Sequence, residues 1–315
     1  MINFRFHLAS LIAVFLALAL GIVMGATVVN RAIVDRLNDR IDTVEKNAER
    51  RKAESDELHS QVSQLQGYID STKDFAVTGR LAGVTVVTIA TRGVDADPVK
   101  KTVDLAQKAG AQAPGILWLE QKLTLGDTDT VKQLDDILGK PEESAKATRD
   151  DAWTALAARL SAGGAGADGR DLLSGLSDAG FVTFEAVGDQ AAGSFSLQSF
   201  PGANARVLLI DGTNGKVAAD EVLAPLSTAL GTSSLHVVAG EVFDEKDGGP
   251  DRGSMLAPIR KNDGLAQSVS TVDDLDLVEG RVTAVLALAD LNRNVIGQYG
   301  YGAGAKKSLP EWSTP

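Results

Sequence analysis

Side chains that bind soft metals are rare in this sequence. Its 315 residues include no Cys, three His (His7, His59 and His236) and three Met (Met1, Met24 and Met255). The lack of Cys excludes disulfides, thiolate zinc sites, iron–sulfur clusters and Cys nucleophiles. Soft metal ions prefer thiolate and thioether ligands. A soft metal ion therefore finds only scattered candidates in one chain, namely His7, Met24, His236 and Met255, and we assign no metal ligand.

Carboxylates that could hold a hard cation occur in two groups. The first is Asp244, Glu245 and Asp247, and the second is Asp273, Asp274 and Asp276. Neither group has the glycine and the closing glutamate at the spacing of a calcium-binding loop. We therefore expect both groups to be solvated charges in loops.

Motifs for nucleotide binding or nucleophilic catalysis are missing. The turn Gly212–Lys216 follows the apolar run Arg206–Asp211, but it lacks the Walker spacing, and no run is followed by GxGxxG. Ser194 is not in a nucleophile elbow. His236 lies within an apolar run and is interpreted as a hydrogen-bonded residue of a sheet. We expect no catalytic residue, no cofactor and no enzymatic activity.

These candidate residues must be positioned by two different kinds of structure, of which the first is a membrane anchor. Leu8–Val29 contains 22 residues without a charge, and a helix of about this length crosses a bilayer core. The run is too long for a cleaved signal peptide, and the site near Gly25 and Ala26 is poor. Small residues recur every four positions, at Ala9, Ala13, Ala17, Gly21 and Gly25. This spacing predicts a face for helix packing, although Ala and Gly are also common in membrane spans.

A polar segment with a heptad pattern follows the anchor. Apolar residues spaced by four and three predict a coiled-coil seam at Leu37, Ile41, Val44, Leu58, Val62, Leu65 and Ile69. Arg51 and Ser55 form a weak middle layer. The seam predicts a homodimer or a hetero-oligomer. The alternative is a single amphipathic helix that folds back on its own domain.

From Gly83 onward, short β-branched runs alternate with helical stretches. The predicted strands are Val84–Ala90, Ile116–Leu119, Phe181–Val187, Arg206–Asp211, Leu235–Ala239 and Val282–Ala287. This alternation predicts a three-layer α/β domain with a mostly parallel sheet. We expect residues 1–30 to form the amino-terminal arm and membrane helix, 31–78 the stalk, 79–304 the domain and 305–315 a flexible tail. The Gly/Ala-rich run at 162–169 is expected to be a surface loop.

Charge bears on partners and on topology. The net charge of −11 argues against a nucleic-acid partner, which needs a basic surface. Basic residues on the carboxyl side of the span outnumber Arg5 on the other side; they are Arg31, Arg36, Arg40 and Lys46. Taken alone, this asymmetry places the carboxyl side in the cytoplasm.

The layout and four motifs resemble a known family. The motifs are His7–Gly21 in the span, Ser270–Asp276, Gly280–Leu288 and Gly297–Gly300. Together with the stalk and the acidic α/β domain, they resemble the actinobacterial copper transporter family of the MctB type. The resemblance covers nearly the whole chain, but residues 90–270 carry little that is diagnostic.

The resemblance implies an envelope protein of mycolic-acid bacteria or their relatives that acts in copper efflux and homeostasis, with copper as its ligand. It also implies an extracytoplasmic domain, which overrides the charge asymmetry. We expect a single-pass protein of the cytoplasmic membrane, because spanning proteins of the outer membrane are typically β-barrels. The alternative is a coiled-coil scaffold of the related SteB type, which would bind a SteA-type membrane partner and regulate a cell-wall hydrolase during cell separation.

Overall fold

The structure is a computed structural model of the chain. It describes residues 4–141, 144–163, 171–188, 197, 201, 205–245 and 249–311. The chain divides into two compact units, residues 1–65 and residues 66–315. The predictions for Ser194 and Asp247 and for most of the run 162–169 lie outside the described residues.

The first unit is formed by the helix α1 (Phe4–Val77), whose last turns belong to the second unit. Its first part, Phe4–Gly25, is apolar and long enough to cross a membrane, and no part of it is buried in protein. No proline interrupts the helix, so its backbone hydrogen bonds continue from the apolar part into the polar part. The apolar run and the heptad pattern therefore lie on one continuous helix. The angle around the helix axis between any two of their residues follows from their separation in sequence.

The second unit alternates strands and helices. After the end of α1, the elements are β1 (Val86–Thr91), α2 (Ala96–Lys108), β2 (Gly115–Leu119), α3 (Thr128–Leu138), α4 (Ala145–Ala162), α5 (Leu172–Asp178), β3 (Val182–Ala186), β4 (Arg206–Gly212), α6 (Ala219–Thr232), β5 (His236–Val242), α7 (Ala257–Arg260), α8 (Asp263–Ala266), β6 (Val269–Val272), α9 (Val278–Asp290) and β7 (Gln298–Tyr299). Several helices begin at a side chain that accepts a backbone N–H, the usual N-cap arrangement; these are Asp95, Asp127, Ser144 and Asp171.

The strands form one seven-stranded sheet in the order β3-β2-β1-β4-β5-β6-β7. Among the strands that the structure describes, only β3 is antiparallel to its neighbour, so the predicted mostly parallel sheet is confirmed. One face packs against α3 to α7, and the other packs against α2, α9 and the end of α1 at Val77. Because both faces are covered, the strands of the middle of the sheet are buried along almost their whole length and are mainly apolar.

One predicted strand is wrong. Val282–Ala287 lies within α9, and the structure instead has the strands β6 and β7, which the prediction lacks. Most residues of α9 are buried, so the helix is apolar around much of its circumference and shows no clear 3.6-residue period. A short apolar run of this kind cannot be assigned to strand or helix from periodicity alone.

The end of the described chain lies against the edge strand β7. The amides of Lys306 and Lys307 donate to the carbonyl of Gln298, and the amide of Gly300 donates to the carbonyl of Lys307. Pro310 is buried. Residues 305–311, part of the predicted tail, therefore cover an edge that would otherwise expose unpaired backbone groups.

Candidate functional site

Ligands of doubly wound sheets usually bind where the strand order reverses, at the carboxyl ends of the strands. Here that point lies between β1 and β4, and the chain itself fills it. The amide of Lys216 donates to the carbonyl of Arg92 at 2.7 Å, and a Cβ at Gly93 would lie 2.3 Å from the carbonyl oxygen of Asn214. The turn Gly212–Lys216 therefore packs directly on the end of β1, as expected of an ordinary turn.

Acidic side chains line the same edge of the sheet farther along. Asp211, next to the last residue of β4, lies beside Glu241 of β5, and Asp273 and Asp274 directly follow β6. All four are fully buried. The prediction of solvated loop charge is therefore wrong for Asp273 and Asp274, because the loop that holds them is covered by α9 and by the chain after β7.

Arg260, at the end of α7, neutralises one of these acids. Its Nη1 donates to Oδ2 of Asp273 and to the carbonyl of Ala303, both at 2.8 Å. Its Nη2 donates to the carbonyl of Tyr299 at 2.7 Å, and its Nε donates to the hydroxyl of Thr271 at 2.8 Å. The guanidinium thus ties α7, β6 and the chain after β7 together.

The other oxygen of Asp273 is held by backbone amides. Oδ1 accepts from the amides of Tyr301 at 2.8 Å and of Gly302 at 3.0 Å. A Cβ at Gly300, where φ is +120°, would lie 2.1 Å from this oxygen. Only glycine fits this approach, which explains why a glycine follows β7 directly.

A second ion pair lies beside the first. Arg252 donates to both carboxylate oxygens of Asp276, at 2.7 and 2.9 Å, and to the carbonyl of Asp273 at 3.0 Å. Its guanidinium also stacks on Phe243, with 4.5 Å from Cζ to the ring centre. Two-point pairing of this kind fixes the orientation as well as the charge.

Two buried acids have no such cation. Oε2 of Glu241 accepts from the amide of Gly253 at 2.9 Å, but Oε1 of Glu241 and both carboxyl oxygens of Asp274 have no hydrogen-bond partner among the described residues. Burial, reinforced by the charge of Asp273, raises the pKa of Glu241 to about 8 and the pKa of Asp274 to about 7. Burial likewise raises the pKa of Asp211 to about 7. Near neutral pH this edge therefore holds protons.

The acidic edge does not form a metal centre among the described residues. Within them, no group of three or more His, Asp or Glu side chains is placed to hold one metal ion. The carboxylates of Asp273 and Asp276 already have arginine partners. The chemistry available here is proton binding and structural ion pairing.

The predicted soft ligands lie far apart within each unit. His7 and Met24 are exposed on α1, and their separation in sequence corresponds to about 25 Å along a helix. His236 is the first residue of β5, as predicted for a sheet residue, and its side chain is exposed. Met255 packs half-buried against the core. The structure does not bring these candidates together within one unit.

A cavity of about 410 Å³ opens beside β7. Its lining mixes charges of both signs, including Asp290, Arg293, Lys306 and Glu311. It has no His or Met among its described lining residues, so it offers none of the soft groups that Cu(I) prefers.

The seam and the small-residue face both lie on α1. The seam residues of the first unit are 47 to 66% exposed: Leu37, Ile41, Val44, Leu58, Val62 and Leu65. Ile69 lies in the second unit and is half-buried. Ala9, Ala13, Ala17, Gly21 and Gly25 are exposed, and a Cβ at Gly21 or Gly25 would meet nothing within 4 Å.

Sequence reasoning named Asp273, Asp274 and Asp276 but missed the burial of this edge and the arginines that pair with it. A usable signal exists, because Asp273 and Asp274 directly follow a β-branched run, and the carboxyl ends of parallel strands meet at one edge of a sheet. That run, Val269–Val272, is absent from the predicted strands. The pairing of Arg252 and Arg260 with these acids depends on tertiary contacts and has no local signature.

Comparison with known proteins gives the family. The family described as "Copper transport outer membrane protein, MctB" matches residues 1–310. The proteins named "Copper transporter MctB" of Mycobacterium bovis and Mycobacterium tuberculosis are 26% identical over 322 residues, which is 97% of this chain and 98% of the relative. That of Mycobacterium leprae is 26% identical over 336 residues, with the same coverage. The chain therefore belongs to the MctB family of copper transport proteins.

Proposed function

We propose that this protein acts in copper efflux or homeostasis as a single-pass, membrane-anchored component of the cell envelope. The observation that carries the proposal is the length of the family match, which covers the apolar helix, the stalk and the α/β domain together. The relatives named as copper transporters match 97% of this chain. The correspondence therefore extends over the whole chain.

The chain's own chemistry constrains how copper would be handled. One helix cannot enclose a pore, and the soft side chains are few and widely separated within each unit. Movement of copper as a substrate would therefore need an assembly of several chains or a second protein. Within one chain, the residues with suitable side chains are His7, Met24, His236 and Met255.

The first test is total cell copper under a copper load. A strain that lacks the gene is compared with the same strain carrying the wild-type gene or a variant with His7→Gln, Met24→Leu, His236→Gln and Met255→Leu. We expect copper to rise on deletion, to fall on restoration and to stay high with the variant. Asp129→Asn is the control, because Asp129 is exposed on α3 and is not among the candidate copper ligands. Unchanged copper in the deletion strain would contradict the proposal.

We also propose that the anchor lies in the cytoplasmic membrane with the α/β domain outside it. Support comes from Phe4–Gly25, an apolar helix long enough to cross a membrane. A single spanning helix of this kind is typical of proteins of the cytoplasmic membrane. The family description names the outer membrane instead. Separation of the two membranes by density shows which membrane holds the protein. Protease treatment of intact cells stripped of their outer layer shows whether the α/β domain lies outside the cytoplasmic membrane. Recovery of the protein with the outer membrane would contradict ours.

We propose further that the protein is not an enzyme. Support comes from the crevice between β1 and β4, which the turn Gly212–Lys216 occupies. The buried acids beside it are paired with arginines or enclosed. The expected result is that alanine substitution of Asp244 or Lys216 at the rim of this edge leaves the copper phenotype intact.

A second candidate function is scaffolding, which the exposed apolar seam favours. In this proposal residues 31–75 bind a SteA-type membrane partner and regulate cell-wall hydrolase activation. Leu58→Asp with Leu65→Asp is expected to abolish recovery of the partner and to leave cell copper unchanged. Ser60→Asp is the matched control on the polar side of the helix. Retention of the partner by the seam variant would exclude this role.

A further inference from the structure

We propose that α1 pairs through residues 37–65 with a second copy of this chain, in a parallel and in-register coiled coil. The first observation is the exposure of its apolar stripe. Leu37, Ile41, Val44, Leu58, Val62 and Leu65 are large apolar side chains exposed by 47 to 66%. They repeat with the four-three spacing that suits the a and d positions of a coiled coil.

Charges beside the stripe favour a second copy of this chain as the partner. With Ile41 at an a position, Arg40 occupies g and Glu45 the following e position; Glu54 and His59 have the same relation. In a parallel in-register pair, each g residue faces the e residue five positions later on the other helix. Arg40 therefore faces Glu45, and Glu54 faces His59, twice in each dimer.

The antiparallel arrangement brings like charges together. The register that best matches large apolar residues places Val44 opposite Val62 and Ala48 opposite Leu58. It then brings Glu54 near Glu54 of the second copy and Lys52 near Lys52. Like charges across the flanks of a coiled coil disfavour this pairing. The parallel form in turn places Arg51 opposite Arg51 at one d layer, so the direction of the pairing is decided by the two membrane anchors.

The side chains that make these contacts are available. In the described helix, Arg40, Glu45 and Glu54 make no hydrogen bond or ion pair with their own chain. The Nδ1 of His59 lies 2.7 Å from the carbonyl oxygen of Ser55. A carbonyl only accepts, so Nδ1 carries the hydrogen of this bond and Nε2 is left to bind Glu54 of the second copy when it is protonated.

The anchor gives an independent reason for the parallel direction. Two copies whose Phe4–Gly25 segments insert in the same membrane with the same orientation extend their helices to the same side. Because α1 has no break between the span and residue 65, equivalent residues of the two copies lie at equivalent heights. This pairing does not rest on the copper function proposed above.

The absence of Cys from the chain makes cross-linking a direct test. The full-length variants Ala48→Cys, at an a position, and Ala53→Cys, at the solvent-facing f position, are expressed in membranes and oxidised mildly. We expect Ala48→Cys to give a disulfide-linked species of twice 32.9 kDa, with about tenfold less from Ala53→Cys. Failure of Ala48→Cys to cross-link, together with cross-linking of the double variant Ala48→Cys, Leu58→Cys, would overturn the parallel form.

Charge exchange tests the choice of partner in the same Ala48→Cys background. Arg40→Glu alone and Glu45→Arg alone each place like charges together twice per dimer and should reduce the cross-linked fraction. The double variant Arg40→Glu, Glu45→Arg places opposite charges together again and should restore the cross-link. Co-expression of the two single variants should also restore it, because in the mixed dimer each g residue again faces an e residue of opposite charge. Loss of the cross-link in both rescues overturns the proposal. Cross-linking of the introduced cysteine to a different protein instead of to a second copy also overturns it.

Discussion

At the scale of single residues, the acidic edge contains two kinds of carboxyl group. Asp273 is paired with Arg260 and accepts hydrogen bonds from two backbone amides. Glu241 and Asp274 are buried without a cation bound to them, so their pKa values rise toward or above neutrality. Neighbouring carboxyl groups at this edge thus have different environments, and the difference is visible only in the folded chain.

The raised pKa values predict that the α/β domain loses stability as pH rises. The folded state keeps its protons up to about pH 7 at Asp211 and Asp274 and about pH 8 at Glu241, whereas the unfolded chain releases them near pH 4. In this window the folded state binds more protons. As the pH rises, each such carboxyl therefore lowers the unfolding free energy by about 1.4 kcal/mol for each pH unit, until the pH reaches the pKa of that group in the folded state. Unfolding of the full chain in detergent, followed by tryptophan fluorescence, should show a lower midpoint at pH 8.5 than at pH 5.5, a window of about three pH units that spans these folded pKa values.

Asp274→Asn should remove part of this dependence, because the amide carries no charge at either pH. The variant is expected to gain stability relative to wild type at the higher pH and to gain less or nothing at the lower pH. An equal shift at both pH values would show that Asp274 is ionised in the folded state, contrary to the assignment made here.

Asp273→Asn should behave in the opposite way. It leaves the buried charge of Arg260 without its carboxylate, and loss of one partner of a buried ion pair typically costs about 3–5 kcal/mol. We expect a large loss at both pH values, measured by the same fluorescence assay. Exposed Asp129→Asn in α3 is the control and should change little.

At the scale of elements, α9 packs very closely against the loop that follows β6. A Cβ at Gly280 would lie 1.9 Å from the carbonyl oxygen of Asp274. This oxygen belongs to the backbone, which cannot easily move away. Gly280→Ala is expected to destabilise the domain by about 1–3 kcal/mol or more through overpacking. Gly231→Ala in α6 is the matched control, since nothing lies within 4 Å of its Cβ position; it should be neutral or stabilising. Equal effects of both substitutions would contradict this packing.

The stalk offers an element-scale prediction at Arg51, which interrupts the apolar d positions. Burial of a leucine side chain contributes about 1.5–3 kcal/mol relative to its exposure. Arg51→Leu should therefore strengthen the proposed pairing and increase the cross-linked fraction of Ala48→Cys. Arg50→Leu, one residue away at a c position, is the control. A decrease with Arg51→Leu would indicate that the arginine contacts a partner.

Elements with a strong local pattern could be predicted from the sequence. The apolar helix at the amino terminus and the central strands β1, β2, β4 and β5 lie where the sequence predicts them. The fate of Val282–Ala287 could not be predicted, because an apolar run without a period fits both a buried strand and a buried helix. The short β7 has two residues and is defined by its neighbours alone. Burial of Asp273 depends on Gly300 and Arg260, which come from distant parts of the chain.

At the scale of the whole molecule, the acidic composition and the membrane anchor belong to different parts of the chain. The seam lies mainly on the first unit, and the buried ionic edge lies entirely within the second. Leu58→Asp should thus abolish the proposed pairing and leave the fluorescence-detected unfolding of the full chain unchanged. Ser60→Asp is again the control. A lowered midpoint for Leu58→Asp alone would show that pairing supports the fold of the domain.

Because α1 is unbroken, each chain has two packing faces, the seam and the small-residue face, at different angles around one helix axis. At about 100° per residue, Val44 and Val62 lie about 180° around the helix from Ala17, which is the centre of the small-residue face. Two chains joined at the seam therefore turn their small-residue faces away from each other. A dimer cannot use both faces, and any assembly that uses both must contain more than two copies, either closed into a ring or extended as an open array.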